Sequence, residues 1–491
     1  MSQRHRASTV ARLAAAALAG LPATGWPHAF GERYDLPVPL AYFVAGAAAV
    51  VALSFAVVVW VARKAPPPSP TEGRVVALGP LLPVVRTACR FIAVALFVLT
   101  VIAGLFGTRN PEMNLAPTLV WIIGWVGLSL VVACIGNIWP ALDPWRALFD
   151  LLDTLAHRLG ATHGITFGWT YPQAFGAWPA VILLLVFAWL EVVYLQASVP
   201  SRIAYMLLAW SALTLSGMVC FGRESWQRNA DVFAIYFATL GRFAPVGPGP
   251  DARSVVLRPV GRDLIASGTV SIAMVGFVIA MLSTVLFDGL LGGQVWWFAQ
   301  RAFTRWMPNL ADDSGYWVGT LGLIAVWLLF LATYLLTCLI TARLVLDPTV
   351  NAIARLFALT LVPIAVAYNI AHNLSSLLVQ GQLLIVLLSD PLGRGWNLFG
   401  TAEFYPDIGI IDVRFTWYVA IIAIVTGHVI SIWLAHRVAL HAFGASRKAV
   451  IASVPLTVLM VAYTAISLSV IAEPLVQFRN PAAPNSLSRA R

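Results

Sequence analysis

Residues 38–62 read VPLAYFVAGAAAVVALSFAVVVWVA, a run without one Asp, Glu, Lys, Arg or His. At 1.5 Å per residue such a helix is longer than the roughly 30 Å hydrocarbon core of a bilayer, so the stretch reads as a membrane span. Runs of the same kind recur at about 84–106, 115–139, 175–197, 203–221, 263–287, 317–343, 354–389, 415–442 and 449–473, which makes about ten spans in all. The composition of the 491 residues agrees: 60% are hydrophobic and 11% charged, against about 25% charged in soluble domains. Disorder, a coiled coil and a soluble α/β enzyme are excluded. The expected fold is all-α, a polytopic transmembrane helix bundle forming one domain over 26–478.

The ends and connectors are legible too. Arg4, Arg6 and Arg12 precede a short apolar run at 13–21 and a group of small residues, the pattern of a signal peptide over 1–25. Residues 479–491 read as a disordered polar tail. Asp143-Pro144-Trp145 has the form of a helix cap followed by a first-turn proline, and 145–159 then reads as an amphipathic interfacial helix. A second interfacial helix is expected at 294–307, with Trp296, Trp297, Trp306, Arg301 and Arg305. Gly247-Pro248-Gly249-Pro250 interrupts the largest polar loop. The eighth run reads either as a helix kinked at Pro363 or as a helix with a re-entrant tail.

A net charge of +10 could suggest a nucleic-acid partner, yet Lys64 and Lys448 are the only lysines and the arginines are scattered between apolar runs. Sorted by connector, about nine of the ten net charges fall on the side opposite the N-terminus. That bias predicts N-out, C-out topology and no nucleic-acid partner. The lipid bilayer is the expected partner. Cys89, Cys134, Cys220 and Cys338 lie far apart without a CxxC pair, so neither a disulfide framework nor a zinc cluster is implied.

Ionisable groups inside a bilayer are costly and mark function. His372 falls near the middle of the eighth run, in AYNIAHNLSS, and His428 near the middle of the ninth, in TGHVIS. Counted along antiparallel helices, the two imidazoles come to similar depth. They would then share a divalent metal, ligate a haem, relay a proton, or form a hydrogen-bonded packing pair. Asn369, Asn373 and Ser376 surround His372, so this helix lines a cavity or a helix contact. His436 and His441, flanking Arg437, read first as solvated interfacial groups, with His436 the candidate third metal ligand. Glu191, Asp288, Asp390 and Glu473 close apolar runs on the outer side. They read as interfacial caps or as an outward mouth, with Gln380 and Gln382 leading from His372 to Asp390. No Walker loop, GxSxG, HExxH, CxxCH or Rossmann pattern occurs.

Several strings occur together: HAFGERYDLPVP (28–39), NLAPT (114–118), DPWR (143–146), STVLFDG (283–289), AHN (371–373), QGQ (380–382), SDPLG (389–393), GWNLFG (395–400), GHV (427–429) and AH (435–436). With them the chain, from residue 28 to about 441, resembles the bacterial integral-membrane family known as fenitrothion hydrolases. The resemblance implies a multi-pass protein of the bacterial inner membrane that hydrolyses organophosphate triesters, with a small hydrophobic substrate. Such chemistry needs an activated water and charge stabilisation at the phosphoryl oxygen. His372, His428 and Asp390 are the candidate catalytic residues, with Asp288 a further candidate for that cluster, and His372, His428 and His436 are the candidate metal ligands. The alternative reading is a metal- or haem-handling protein of copper transport or respiratory assembly, using the same histidines. A third is a membrane partner subunit whose histidines only bond across helices.

Overall fold

The computed structural model describes residues 34–62, 73–308, 315–346, 349–444 and 447–477. The signal peptide expected at 1–25 and the tail at 479–491 lie outside them. Among the described residues the fold is an all-α bundle with nine helices long and apolar enough to cross a membrane. In hydrocarbon each backbone N–H and C=O must be satisfied within its own segment, so these apolar runs become helices. In order they are α1 (Leu40–Ala62), α2 (Leu81–Phe106), α3 (Leu115–Cys134), the short α4 (Pro144–Arg158) and α5 (Trp178–Val192), then α6 (Pro200–Phe221). After α7 (Arg223–Asn229) and α8 (Val232–Gly241) come α9 (Ile272–Leu291), α10 (Gln294–Trp306) and α11 (Tyr316–Val345). The chain ends through α12 (Val350–Phe357), α13 (Val362–Gln380), α14 (Leu383–Ser389), α15 (Val413–Phe443) and α16 (Arg447–Leu475).

The fourth expected run holds only a 15-residue helix, α5, about 22 Å long. The eighth run resolves into pieces. A 3-10 turn at Ala358–Leu361 separates α12 from α13, and Pro363 lies in the first turn of α13, where its missing N–H has no helical partner to lose. The helical irregularity of the eighth run thus falls directly before Pro363. Both interfacial helices form, α4 with the Asp143 carboxylate accepting from Arg146 N at 3.0 Å, α10 with no buried residue. The supposed polar loop after α6 instead contains α7 and α8, followed by a small sheet. In it β1 (Arg74–Ala77) pairs antiparallel with β3 (Ser254–Leu257), which also pairs with β2 (Val246–Pro248).

Packing divides the chain around two central helices. One layer packs α13, α15, α16, α1 and α11 together; the other joins α2, α3, α4, α6 and α8; α9 touches α5, α11 and α13 between them. Of the apolar stretch of α9, and of that running through α12 and α13, 72% is buried. For α1 and α2 the figure is 17%, as expected of helices facing lipid. Lipid offers no hydrophobic drive for helix association, so close approach at small residues matters. Gly427 of α15 abuts Ala367 and Pro363 of α13, and Gly104 of α2 abuts Pro200 and Ala204 of α6. Buried hydroxyls are satisfied locally: Thr100, Thr341 and Thr464 each donate to the carbonyl one turn back. Within α3, residues Thr118–Gly127 form a wide π-helical segment, a form usually limited to single turns.

Candidate functional site within the helix bundle

Asp288 sits in the last turn of α9, and His372 halfway along α13. The two helices pack together and bring His372 Nε2 to 2.8 Å from Asp288 Oδ2. An intramembrane carboxylate needs such a partner, and the imidazole needs one as well. The His372 side chain is 8% exposed and that of Asp288 29%. Tyr368, one turn before His372, stacks its ring on the imidazole with centroids 6.1 Å apart. Gly289 makes room for it, since a Cβ there would come 2.5 Å from the Tyr368 hydroxyl.

A second carboxylate approaches from the other side. Glu191, near the end of α5, faces Asp288 and the Trp125 indole of α3. Tyr236 of α8 is buried beside Ser129, Asn369 and Glu191, and its ring lies tilted against Trp125 with centroids 4.6 Å apart. Five helices thus contribute to one polar cluster: α3, α5, α8, α9 and α13. Two carboxylates, one imidazole and two phenols give it groups that hold or pass a proton. A neighbouring void beside Tyr368 measures about 10 Å³, roughly one water in size.

The other expected residues lie elsewhere. His428 is 1% exposed and its Nδ1 is 2.8 Å from the Ile424 carbonyl of its own helix. Because Gly427 meets Pro363 and Ala367, His428 is level with the start of α13, one or more turns from His372. Its Nε2 finds no partner among the described residues. The reading of His436 as solvated is corrected: it is fully buried, with Nδ1 3.1 Å from Ser453 Oγ and its ring edge-on to Phe55. The cause is the length of α15, which continues to Phe443 and is covered there by α1 and α16. Asp390 accepts from the backbone amides of Arg394 (2.9 Å) and Gly395 (2.6 Å), so it closes a loop. Gln382 clasps Asp407 of that same loop through two hydrogen bonds. Glu473 accepts from Gln294 N at 2.6 Å and caps α10.

Of the four acids expected on the outer side, then, Glu191 and Asp288 enter the cluster while Asp390 and Glu473 are caps. Among the described residues no group of three His, Cys, Asp or Glu side chains converges as a metal site. His372, His428 and His436 are not brought together, and the donor set does not fit a shared metal. Sequence reading missed Tyr236 and Tyr368, and it set Asp288 beside His372 as a further ligand candidate, not as its hydrogen-bond partner. The Asp288-Gly289 dipeptide was the available signal, an acid followed by a residue that lets a neighbouring helix close in.

A larger cavity of about 570 Å³ lies across Trp125 from this cluster, lined by residues of α2, α3, α4, α5, α6, α8 and α13 and almost wholly apolar. Phe97, Trp139, Trp145, Phe187 and Phe233 furnish its walls. No family model matches the chain, and no match to it was found among the curated proteins or the solved structures.

Proposed function

We propose that the chain is a membrane-embedded hydrolase of hydrophobic phosphotriesters whose proton transfers run through the His372–Asp288 pair. The supporting observation is that pair, 2.8 Å apart at membrane depth and backed by Tyr368 and Glu191. The reaction class comes from the resemblance. Water attacks phosphorus and its proton passes to the His–Asp pair. The P–O bond to the aryl group breaks, and the phenolate leaves or takes that proton back. General acid–base help of this kind is worth about 10²–10⁴-fold. In this reading the protein lies in the bacterial inner membrane, N-out and C-out.

The test is release of nitrophenol from fenitrothion by purified protein in lipid nanodiscs. Wild type turns the substrate over, and His372→Ala or Asp288→Asn lowers the rate about 100-fold or more. Wild type that releases no nitrophenol overturns the reading. The water-sized void beside Tyr368 favours a second reading, in which the cluster moves protons without hydrolysis. Proteoliposomes carrying an internal pH dye distinguish the two: proton entry abolished by Asp288→Asn, without product formation, supports the second.

A further inference from the structure

Arg90 of α2, Arg146 of α4 and Arg223 of α7 meet at one end of the bundle. Arg223 pairs with Asp150, and Arg90 Nη1 is 3.7 Å from the same carboxylate. Arg146 lies within the field of Arg223, Asp150 and Arg90. Three guanidinium groups therefore gather around Asp150, with the buried Asp143 acting on Arg146 as well. Glu224, 3.5 Å from Arg223, is 80% exposed and screened by water. All three Nε atoms are shielded from solvent, and each is without a partner among the described residues. Cations gathered this way repel one another, and an anion between them relieves that repulsion.

The cluster lies next to the apolar cavity. Ala93, one turn beyond Arg90 on α2, lines it, and so do Pro144 and Trp145, which immediately precede Arg146. Thr100, Leu119 and Leu377 line it further along α2, α3 and α13. At about 570 Å³ the cavity falls in the size range of ligand sites. A cationic cage beside an apolar chamber matches one kind of molecule, an anionic head carrying a hydrocarbon tail. Guanidinium groups suit phosphate in particular, because their paired N–H donors match two phosphate oxygens.

We propose that cage and cavity form a single binding site for an anionic phospholipid, its phosphate on Arg90, Arg146 and Arg223 and an acyl chain in the chamber. Basic pockets between membrane helices hold lipid headgroups in this manner. The site is separate from the His372–Asp288 pair, so it stands or falls independently of the hydrolase reading.

Full-length protein in detergent is titrated with phosphatidylglycerol, phosphatidylcholine or inorganic phosphate, with native mass spectrometry and thermal melts as readouts. Phosphatidylglycerol is expected to bind at 1:1 and raise Tm more than phosphatidylcholine does. Joint Arg90→Gln and Arg146→Gln neutralisation weakens it about tenfold or more. Ala93→Phe, which fills the chamber and keeps the cage, weakens phosphatidylglycerol while leaving any phosphate effect intact. Arg90→Lys, which keeps the charge and loses the planar fork, gives an intermediate loss in a protein that folds as wild type does. Equal binding of the two lipids overturns the proposal, as does full binding by Ala93→Phe. A Tm rise from inorganic phosphate as large as that from phosphatidylglycerol overturns it in favour of a free-anion site.

Discussion

Asp143 and Asp231 cap different helices, α4 and α8, yet both are 1% exposed and the charge of Asp231 opposes ionisation of Asp143. Gln227 donates to Asp143 Oδ2 at 2.6 Å, and Asp231 Oδ2 has no partner among the described residues. Burial first, then Asp231, pushes Asp143 up to about 7; burial pushes Asp231 up to about 6.

The sign of the pH dependence follows. Carboxyls with a raised folded-state pKa bind protons that the unfolded chain releases, so their stabilisation is complete below about pH 4 and is lost as pH rises through 6 to 7. Asp143→Asn keeps an oxygen for the Arg146 amide and cannot ionise. At pH 8 it should be more stable than wild type by about 1–3 kcal/mol, with the advantage vanishing near pH 4. Thermal melts of both proteins from pH 4 to 8 check this; a difference that stays constant with pH refutes it.

Gly427 is closed in by Ala367 and by the Pro363 carbonyl, 2.8 Å from where a Cβ would stand. Gly427→Ala should destabilise by about 1–3 kcal/mol through overpacking. Adding Ala367→Gly removes the atom it strikes and should restore part of that loss. Melts of the single and double variants measure the coupling, and strict additivity contradicts the contact.

Asn114 is fully buried and donates to the carbonyls of Ala103 (2.8 Å) and Thr108 (2.9 Å), while accepting from Ala116 N at 3.0 Å. One side chain thus ties the end of α2 to the start of α3. Asn114→Ala takes the side-chain donor from the Thr108 carbonyl and the acceptor from Ala116 N, while the Ala103 carbonyl keeps the Gly107 amide, and should lower stability by about 1–3 kcal/mol. Asn114→Asp should be worse, since a carboxylate would face two carbonyl oxygens. Denaturant unfolding followed by tryptophan fluorescence ranks the three proteins.

His372 and His428 should answer differently to the same replacement. His372→Leu removes the imidazole that pairs with Asp288 inside the bundle, whereas His428→Leu gives up one bond within its own helix and removes an Nε2 that has no partner among the described residues. The first should destabilise by about 2 kcal/mol more than the second. Asp288→Asn combined with His372→Leu should be less damaging than the sum of the two. Chemical denaturation in one detergent tests both statements.

The spans were legible because an apolar run of twenty residues has one outcome in a bilayer. So was the His372 neighbourhood, where polar residues interrupt such a run. The partners of His372 were less so. Glu191 and Asp288 each close an apolar run, and a run's end looks the same whether its acid meets water or another helix. Tyr236 was hidden because α7 and α8 are short and bordered by Arg223, Glu224, Arg228 and Asp231, which reads as a polar loop. The pairing of Arg74–Ala77 with Ser254–Leu257 joins segments far apart in the chain, which no local pattern encodes. His436 was misjudged from its neighbour Arg437. That guanidinium is itself 9% exposed and sits over the Trp433 ring, so it gave a false sign of a nearby aqueous boundary.

The shortness of α5 has an electrical consequence. A helix of about 22 Å covers only part of a hydrocarbon layer of about 30 Å, and local thinning of the bilayer is one of the ways in which such a mismatch is met. Where the insulating layer is thin, the transmembrane voltage drops over a shorter distance and the local field is steeper. Glu191 stands at the end of that helix, facing Asp288. Moving one charge through the full voltage is worth about 2.3 kcal/mol per 100 mV, so the occupancy of a proton on this pair should respond to membrane potential.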